Sequence, residues 1–400
     1  MKDKLAIFGG QAQRETYLPY GRQSISKEDE EAVLNIMRGD YLTTGPTIER
    51  FEEAVASCVG TDYAVAFSSG TAALHGAAFA AGIQAEDEVI VTPMSFAASA
   101  NCILYCGGKA VFSDICKETM NLDIDKIEEK INHKTKMIIP VAFAGQTLDM
   151  DKLMTLANKH NLTVLLDGAH ALGSKYKGEP VGRKADMTMF SFHPVKPITT
   201  AEGGVIVTNN YELYQKMKLF CSHGITRDRE LMTDDHGPWY YEQILLGYNY
   251  RLTDLQAALG ISQIKRLDEF ILKRRAIVSY YNKAFKNLDT LQPLLEKEYS
   301  ESGYHIYVIQ LQLDKLNGNR KEIFQALQAE NIGVNVHYLP IYLLPYYREL
   351  GYEKGLCPIS EEVYESIITL PLYPDMNMDD AKDVVSAVKK VLSYYEKNDE

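Results

Sequence analysis

The chain reads Met187-Thr-Met-Phe-Ser-Phe-His-Pro-Val-Lys-Pro-Ile-Thr-Thr-Ala-Glu-Gly-Gly-Val-Ile-Val207 through its most informative stretch. Two apolar runs, 187–190 and 205–207, have the composition of short buried strands. Lys196 lies in the loop that joins them, with a proline on either side and a Gly-Gly turn after it. Because proline fixes the backbone, this loop holds the lysine at a defined point beside the two strands.

Similar apolar runs recur on both sides of this stretch, and helical patterns separate them. The alternation extends from about residue 60 to residue 210. It predicts an α/β domain with a buried, mostly parallel, seven-stranded sheet. The seven runs are Tyr63–Phe67, Glu88–Val91, Ala110–Phe112, Met137–Ile139, Thr163–Leu166, Met187–Phe190 and Val205–Val207.

The C-terminal part is organised differently. Residues 252–287 are charged, have a helical period and contain no Gly or Pro after Gly260, which predicts a long connector helix. We expect one domain of residues 1–255, with an N-terminal arm, and a smaller α/β domain of residues 256–400 that includes the connector. The elements predicted for the small domain are a strand at 305–313, a helix at 320–330, a strand at 334–338 and a closing helix at 379–395.

Composition excludes several classes of protein. The net charge is -12, and no basic run is present, so nucleic-acid binding is not expected. The six cysteines have neither CxxC nor metal-type spacing, which favours reduced thiols and no metal site. The N-terminus lacks an apolar signal region, and the longest apolar stretch, Tyr63 to Ile83, is interrupted by polar residues. We therefore expect a cytoplasmic protein without a membrane segment.

Two residues carry the chemical hypothesis. An isolated loop lysine such as Lys196 is usually solvated, but a rigidly held one in a desolvated site becomes a nucleophilic amine. Asp167 follows an apolar strand, at the edge where open α/β sheets bind ligands. A carboxylate there would keep a pyridine nitrogen protonated, although a turn or capping role is the ordinary reading. Together the two residues favour pyridoxal phosphate as cofactor.

The stretch Ser68-Ser-Gly-Thr71 follows another apolar strand and opens a helix rich in Ala. The free N–H groups of a helix N-terminus bind phosphate, although such a sequence is also a common helix cap. Phe96 follows a third strand, where it would either stack on a cofactor ring or belong to the core. Neither a Walker loop nor a GxGxxG motif is present, so nucleotide hydrolysis and dinucleotide binding lose support.

These motifs resemble those of the sugar aminotransferase family named after its DegT, DnrJ, EryC and StrS members, which are fold-type I pyridoxal-phosphate enzymes. The resemblance spans nearly the whole chain. Further matching segments are Tyr20-Gly-Arg-Gln23, Leu42-Thr-Thr-Gly-Pro46, Phe51-Glu-Glu53, Leu246-Gly-Tyr-Asn-Tyr-Arg251, His337-Tyr-Leu-Pro340 and Leu370-Pro-Leu-Tyr373.

The resemblance implies a role for each matched residue. Lys196 would form the Schiff base and move the proton, and Asp167 would pair with the pyridinium nitrogen. His170 would lie near the ring hydroxyl, where many relatives have Gln, and Asn249 would reach the phosphate from the other subunit of a homodimer. The remaining implied contacts are Gly70, Thr71 and Ser191 with the phosphate, Phe96 with the ring, and Tyr20, Asp40, Tyr41, Leu42, Thr43, His337, Tyr338, Leu339 and Pro340 with the sugar nucleotide.

Within the family, the lysine motif is most similar to that of the pseudaminic acid branch. This implies transfer of an amino group from L-glutamate to C4 of a UDP-linked 2-acetamido-2,6-dideoxy-4-keto-hexose. Other nucleotide-linked 3- or 4-keto sugars remain alternative acceptors. The dehydratase branch of the fold has histidine in place of the Schiff-base lysine, and Lys196 argues against it.

Two alternatives from other classes stay open. A non-enzymatic, regulatory protein that binds pyridoxal phosphate would need neither a proton shuttle nor a second substrate pocket. A cysteine desulfurase would need a reactive cysteine on a mobile loop, for which Cys357 is a poor candidate. The segment 232–242, which holds the only Trp, is either a surface loop or an active-site flap.

Overall fold

The computed structural model of the chain describes residues 4–397. Its strands are β1 (Tyr63–Phe67), β2 (Glu88–Val91), β3 (Lys109–Phe112), β4 (Thr135–Ile139), β5 (Thr163–Asp167), β6 (Lys175–Tyr176), β7 (Glu179–Pro180), β8 (Met187–Ser191), β9 (Gly204–Thr208), β10 (Ile225–Thr226), β11 (Glu242–Gln243), β12 (Leu291–Pro293), β13 (Ser300–Glu301), β14 (Tyr307–Leu311) and β15 (Ile367–Leu370).

The α-helices are α1 (Lys27–Met37), α2 (Pro46–Val59), α3 (Gly70–Ala80), α4 (Ala98–Tyr105), α5 (Met150–Lys159), α6 (Tyr211–Phe220), α7 (Asp254–Ile264), α8 (Leu267–Phe285), α9 (Arg320–Ala329), α10 (Pro345–Glu349), α11 (Pro358–Ser366) and α12 (Met378–Tyr395).

The central sheet has seven strands in the order β1-β9-β8-β5-β4-β2-β3. Only β9 is antiparallel to its neighbours, so the other six strands run in one direction and end at the same edge. Each of the seven predicted runs forms one of these strands. The prediction of a mostly parallel, seven-stranded α/β fold is therefore confirmed.

The C-terminal part contains a second, three-stranded antiparallel sheet in the order β12-β14-β15. Helices α8, α9 and α12 cover it, and their apolar side chains form one buried cluster with it. The predicted helices at 320–330 and 379–395 correspond to α9 and α12, and the strand predicted at 305–313 is the shorter β14. The strand predicted at 334–338 is wrong, because that segment makes only an isolated bridge between Asn335 and Thr369.

The long connector helix is also wrong, since α7 and α8 are separate helices. The break lies at Lys265 and Arg266, where no Gly or Pro is present. Arg266 turns toward the buried carboxylate of Asp29, at 3.4 Å, and its guanidinium lies 4.6 Å from the ring centroid of Phe270. These contacts let α7 pack against α1 and α2 while α8 packs against α12.

The N-terminal arm lies against the C-terminal part of the chain. Leu5 and Leu18 belong to the cluster beneath the small sheet. The carboxylate of Glu330, fully buried, accepts hydrogen bonds from the backbone N–H groups of Ala6 (2.9 Å) and Gln13 (2.8 Å). The division of the chain at residues 255 and 256 stays a prediction.

Three further observations concern membrane segments, metal sites and the segment 232–242. No helix within residues 4–397 combines the length and the apolar content needed to cross a bilayer. In the same range, no group of three or more His, Cys, Asp or Glu side chains is arranged to hold a metal ion. In the segment 232–242, Trp239 is 73% exposed.

Candidate active site

A cavity of about 580 Å³ opens at the edge where the parallel strands end. Residues from the segments that follow β1 and β2, and residues at the ends of β5 and β8, form its floor, as expected for a ligand site in an open α/β sheet. The opposite wall comes from the C-terminal part and from the N-terminal arm. The lining residues are Tyr20, Ser69, Gly70, Thr71, Leu74, Phe96, Ala98, Asp167, Ala169, Met189, Ser191, His193, Val195, Lys196, Glu202, His305, Asn335, Val336, His337 and Tyr338.

One end of the cavity is built to hold an anion. Helix α3 begins at Gly70, and the hydroxyl of Ser69 caps it by accepting a hydrogen bond from the N–H of Ala72 (3.1 Å). The first N–H groups of the helix have no partner within it, so they remain available to a phosphate. Ser191 lies beside them, because a Cβ at Gly70 would be 3.2 Å from its Oγ.

The start of β9 approaches this helix end very closely. A Cβ at Gly204 would lie 2.5 Å from the carbonyl oxygen of Ser69, so only glycine fits there. Gly204 also pairs with Ser191 in the sheet. The Gly-Gly turn of the sequence thus brings the lysine loop, the strand and the helix N-terminus together.

Hydrogen bonds within the loop between β8 and β9 hold Lys196. Its N–H donates to the carbonyl of His193 (2.9 Å), and the N–H of Thr200 donates to the carbonyl of Phe192 (3.0 Å). Gln263 of α7 supports the loop from behind by accepting from the N–H of Thr199 (3.4 Å). The rigidity expected from the sequence therefore has an identified basis.

Burial lowers the pKa of Lys196 to about 8, and the carboxylate of Asp167 acts in the opposite direction. The usual value for lysine is near 10.5. A substantial fraction of this amine is therefore neutral near physiological pH, as a nucleophile requires.

Asp167 is 4% exposed, and its carboxylate has two hydrogen-bond donors in this chain. Ser99 donates its hydroxyl to Oδ2 (2.6 Å), and Ala169 donates its N–H to Oδ1 (3.0 Å). Burial raises the pKa of Asp167, opposed by these two hydrogen bonds and by the charge of Lys196. No basic side chain within residues 4–397 forms an ion pair with this carboxylate, so a bound cation would stabilise it.

Two histidines, His305 and His337, lie in the wall opposite the floor, and a third, His170, lies directly behind it. His170 accepts a hydrogen bond at Nδ1 from the N–H of Ala144 (3.3 Å), and its Nε2 is 3.2 Å from the hydroxyl of Tyr338. The ring centroids of His305 and His170 are 4.5 Å apart. His337 is hydrogen-bonded at Nδ1 to the hydroxyl of Thr369 (2.8 Å).

The structure brings nine of the sequence-predicted site residues to the cavity: Tyr20, Gly70, Thr71, Phe96, Asp167, Ser191, Lys196, His337 and Tyr338. His170 lies directly behind the wall. Leu339 and Pro340 follow the wall but do not line it, and Asn249 and residues 40–43 are exposed outside it. Their assignments stay predictions.

Several lining residues were missed by the sequence reasoning, notably His305, Asn335, Glu202 and His193. His305 was interpreted only as the first residue of a strand. The single available signal was a polar residue at the start of an otherwise apolar run.

The sequence pattern of the DegT/DnrJ/EryC1/StrS aminotransferase family matches residues 23–389. The chain belongs to this family. Its members are pyridoxal-phosphate-dependent sugar aminotransferases, so the expectations of enzyme class and cofactor are confirmed, and the dehydratase, desulfurase and regulatory alternatives lose their support.

Individual relatives of this aminotransferase are similar over nearly their whole length. A UDP-4-amino-4,6-dideoxy-N-acetyl-beta-L-altrosamine transaminase of Campylobacter jejuni is 39% identical, over 95% of this chain and 99% of the relative. The structure of Helicobacter pylori PseC, an aminotransferase of pseudoaminic acid biosynthesis, has a TM-score of 0.88 and 34% identity, over 95% and 100% of the two chains. Spr1654 of Streptococcus pneumoniae, in its PLP form, has a TM-score of 0.89 and 32% identity, over 94% and 99%.

The cavity fits pyridoxal phosphate. The N-terminus of α3 and Ser191 provide donors for the phosphate, and Asp167 provides a buried carboxylate for the pyridinium nitrogen. Lys196 provides an amine of lowered pKa for the aldehyde. Gly70 leaves the space that a Cβ would fill beside Ser191.

Proposed function

We propose that this aminotransferase moves an amino group from L-glutamate to C4 of a UDP-linked 2-acetamido-2,6-dideoxy-4-keto-hexose, in the biosynthesis of pseudaminic acid. The observation that carries the proposal is the position of Lys196 in the cavity with Asp167 and the N-terminus of α3. The transaminase named above, 39% identical over nearly the whole chain, supports the choice of sugar.

Lys196 and Asp167 have different roles in the proposed reaction. Bound pyridoxal phosphate supplies the electron sink for proton removal next to the amino group. The amine of Lys196 would take the α-proton of glutamate and later return a proton to the sugar carbon that is aminated. Asp167 keeps the pyridine nitrogen protonated, and Ser99 and Ala169 hold the carboxylate in place.

The size of the cavity supports a large acceptor. At about 580 Å³ it lies within the usual range for ligand sites and has room beside a cofactor for a second molecule. Tyr20 and the segment from Asn335 to His337 line the side away from the strand ends. The sugar would be bound there.

A homodimer is part of the proposal. In the segment that holds Asn249, Leu246 is 76% exposed, and Tyr41 and Leu42 are also exposed. Exposed apolar side chains next to a predicted site favour an interface with a second copy of the chain. If Asn249 completes the partner's site, mixed dimers of Lys196→Ala and Asn249→Ala subunits will regain activity that neither variant has alone. If mixing the two variants restores no activity, an active site shared between two subunits is contradicted.

The donor is tested by the absorption spectrum of the purified holoenzyme. Adding L-glutamate without a sugar should abolish the yellow band of the lysine-bound cofactor and leave the amine form. The acceptor is then identified by offering UDP-linked 4-keto sugars and measuring return of the yellow band. Return only with 3-keto sugars, or with sugars on another nucleotide, would refute the proposed acceptor.

A matched pair of lysine variants tests the role of Lys196. Lys196→Ala should bind the cofactor without forming the covalent bond and should lose amino transfer. Lys216→Ala removes an exposed lysine of α6 and should behave as wild type. Amino transfer by Lys196→Ala at the wild-type rate would contradict both the mechanism and the enzymatic function.

A further inference from the structure

His305 has an unusual environment for a buried polar side chain. It lines the cavity, yet the residue is only 5% exposed. Its Nδ1 is fully enclosed and has no hydrogen-bond partner among residues 4–397. Buried polar atoms are nearly always paired, so an unpaired one at a ligand site calls for an explanation.

The enclosed nitrogen fixes the tautomer of His305. Burial lowers the pKa of this histidine well below its usual value, so the ring is neutral and carries one proton. Buried N–H groups without an acceptor are rarer than unpaired acceptors, which places the proton on Nε2. Since Nδ1 is enclosed by protein, Nε2–H is the donor left for the cavity.

Tyr338 presents a second donor on the same wall. The N–H of Ala144 occupies Nδ1 of His170, so neutral His170 carries its proton on Nε2. This N–H donates to the hydroxyl oxygen of Tyr338 at 3.2 Å. The hydroxyl hydrogen of Tyr338, which lines the cavity, is thereby left for a ligand.

The wall thus offers two neutral donors, next to the amide of Asn335 and the ring of His337. An ionised carboxylate only accepts hydrogen bonds and has two oxygens, so a pair of neighbouring donors suits it. The wall is close to Lys196, whose charge contributes to lowering the pKa of His170 and of His305. No arginine is among the lining residues in the described part of the chain, so the wall itself offers an anion neutral donors.

We propose that Nε2–H of His305 and O–H of Tyr338 together bind the α-carboxylate of the amino donor, and that His170 is the positioning residue that directs the Tyr338 hydroxyl. The inference rests on the proposed function, in which the amino group of glutamate reacts beside Lys196. It moves Tyr338, which the family resemblance assigns to the sugar, to the amino-donor side of the reaction.

The test uses holoenzyme and glutarate, a dicarboxylate without an amino group, with binding measured by isothermal titration calorimetry. His305→Phe and Tyr338→Phe each remove one donor and keep a ring. Each should raise the dissociation constant of glutarate about tenfold, as expected for loss of a hydrogen bond to a charged group. The KM for the keto sugar should change less than twofold.

Two variants at the positioning residue provide the matched comparison. His170→Gln retains a donor and an acceptor and should keep the affinity for glutarate within about twofold, whereas His170→Leu should weaken it nearly as much as Tyr338→Phe. If His305→Phe does not fold, Tyr338→Phe and the His170 pair still decide the matter.

The outcomes separate this inference from the proposed function. If wild-type holoenzyme does not react with glutamate, the proposed function fails. If it reacts, but the variants bind glutarate as wild type does, the carboxylate site is refuted while the function stands. A raised KM for the sugar with unchanged glutarate affinity would likewise refute it, and would assign the donors to the sugar.

Discussion

Three buried histidines, two in the cavity wall and one directly behind it, make the protein sensitive to acid. Burial lowers the pKa of His170 and of His305 well below the usual value, and it lowers that of His337 to about 3. The charge of Lys196 acts in the same direction on all three. The folded chain therefore keeps these rings neutral at a pH where the unfolded chain protonates them.

The sign and size of the effect follow from this difference in proton binding. The neutral rings make their full contribution to the free energy of unfolding above pH 6.5, the ordinary pKa of histidine. That contribution is lost as the pH falls from 6.5 toward the pKa values of the folded state. Between pH 7.5 and 5.5, each such histidine removes about 1.4 kcal/mol from the free energy of unfolding, or about 4 kcal/mol for three.

His170→Gln isolates one contribution, because glutamine keeps hydrogen-bonding capacity and does not titrate. Urea unfolding of the cofactor-free protein at pH 7.5 and 5.5 gives the loss of unfolding free energy for wild type and variant. The variant should lose about 1.4 kcal/mol less than wild type. Equal losses in the two proteins would show that His170 binds a proton in the folded state, and the reasoning from burial would be wrong.

In cofactor-free protein, the rate of covalent bond formation between Lys196 and added pyridoxal phosphate should rise with a midpoint near pH 8, measured by absorption; a midpoint near 10.5 would refute the lowered pKa. Asp167→Asn removes the charge that raises the pKa of Lys196, so this midpoint should move to lower pH, and an upward shift would contradict the assignment. The same variant should lower kcat by about 10²–10³, since a pre-organised charge in the site is lost; a change under tenfold would exclude Asp167 as the pyridinium partner. Glu330→Ala should lower the free energy of unfolding by about 2–4 kcal/mol, because it removes the ion-pair partner of Lys390 and leaves two backbone N–H groups unpaired, whereas exposed Glu349→Ala should have little effect in the same denaturant titration.

The sequence allowed the central sheet to be predicted because its strands are short, apolar and bounded by turn residues. Such runs carry their own signal, independent of their neighbours in space. The break between α7 and α8 carries no such signal, since it depends on a tertiary contact between Arg266 and Asp29. The segment 334–338 has a strand-like composition but has only one bridging partner, at Thr369.

The site shows the same contrast. Lys196, Asp167 and the start of α3 follow strands of one sheet, and strand ends meet at one edge, so sequence order was enough to bring them together. His305 joins them only through the packing of the C-terminal part. Neither its enclosed Nδ1 nor its proximity to His170 is visible in the sequence.

The attachment of the N-terminal arm has a consequence for the order in which the protein is made. Ala6 and Gln13 find their common partner, Glu330, more than 300 positions later, and the carbonyl of Tyr20 accepts from the N–H of Leu372. During synthesis these arm residues therefore leave the ribosome long before Glu330 and Leu372, the residues that hold them. The nascent protein can build its central sheet early, but Tyr20 takes its place in the cavity only after Leu372 has been made.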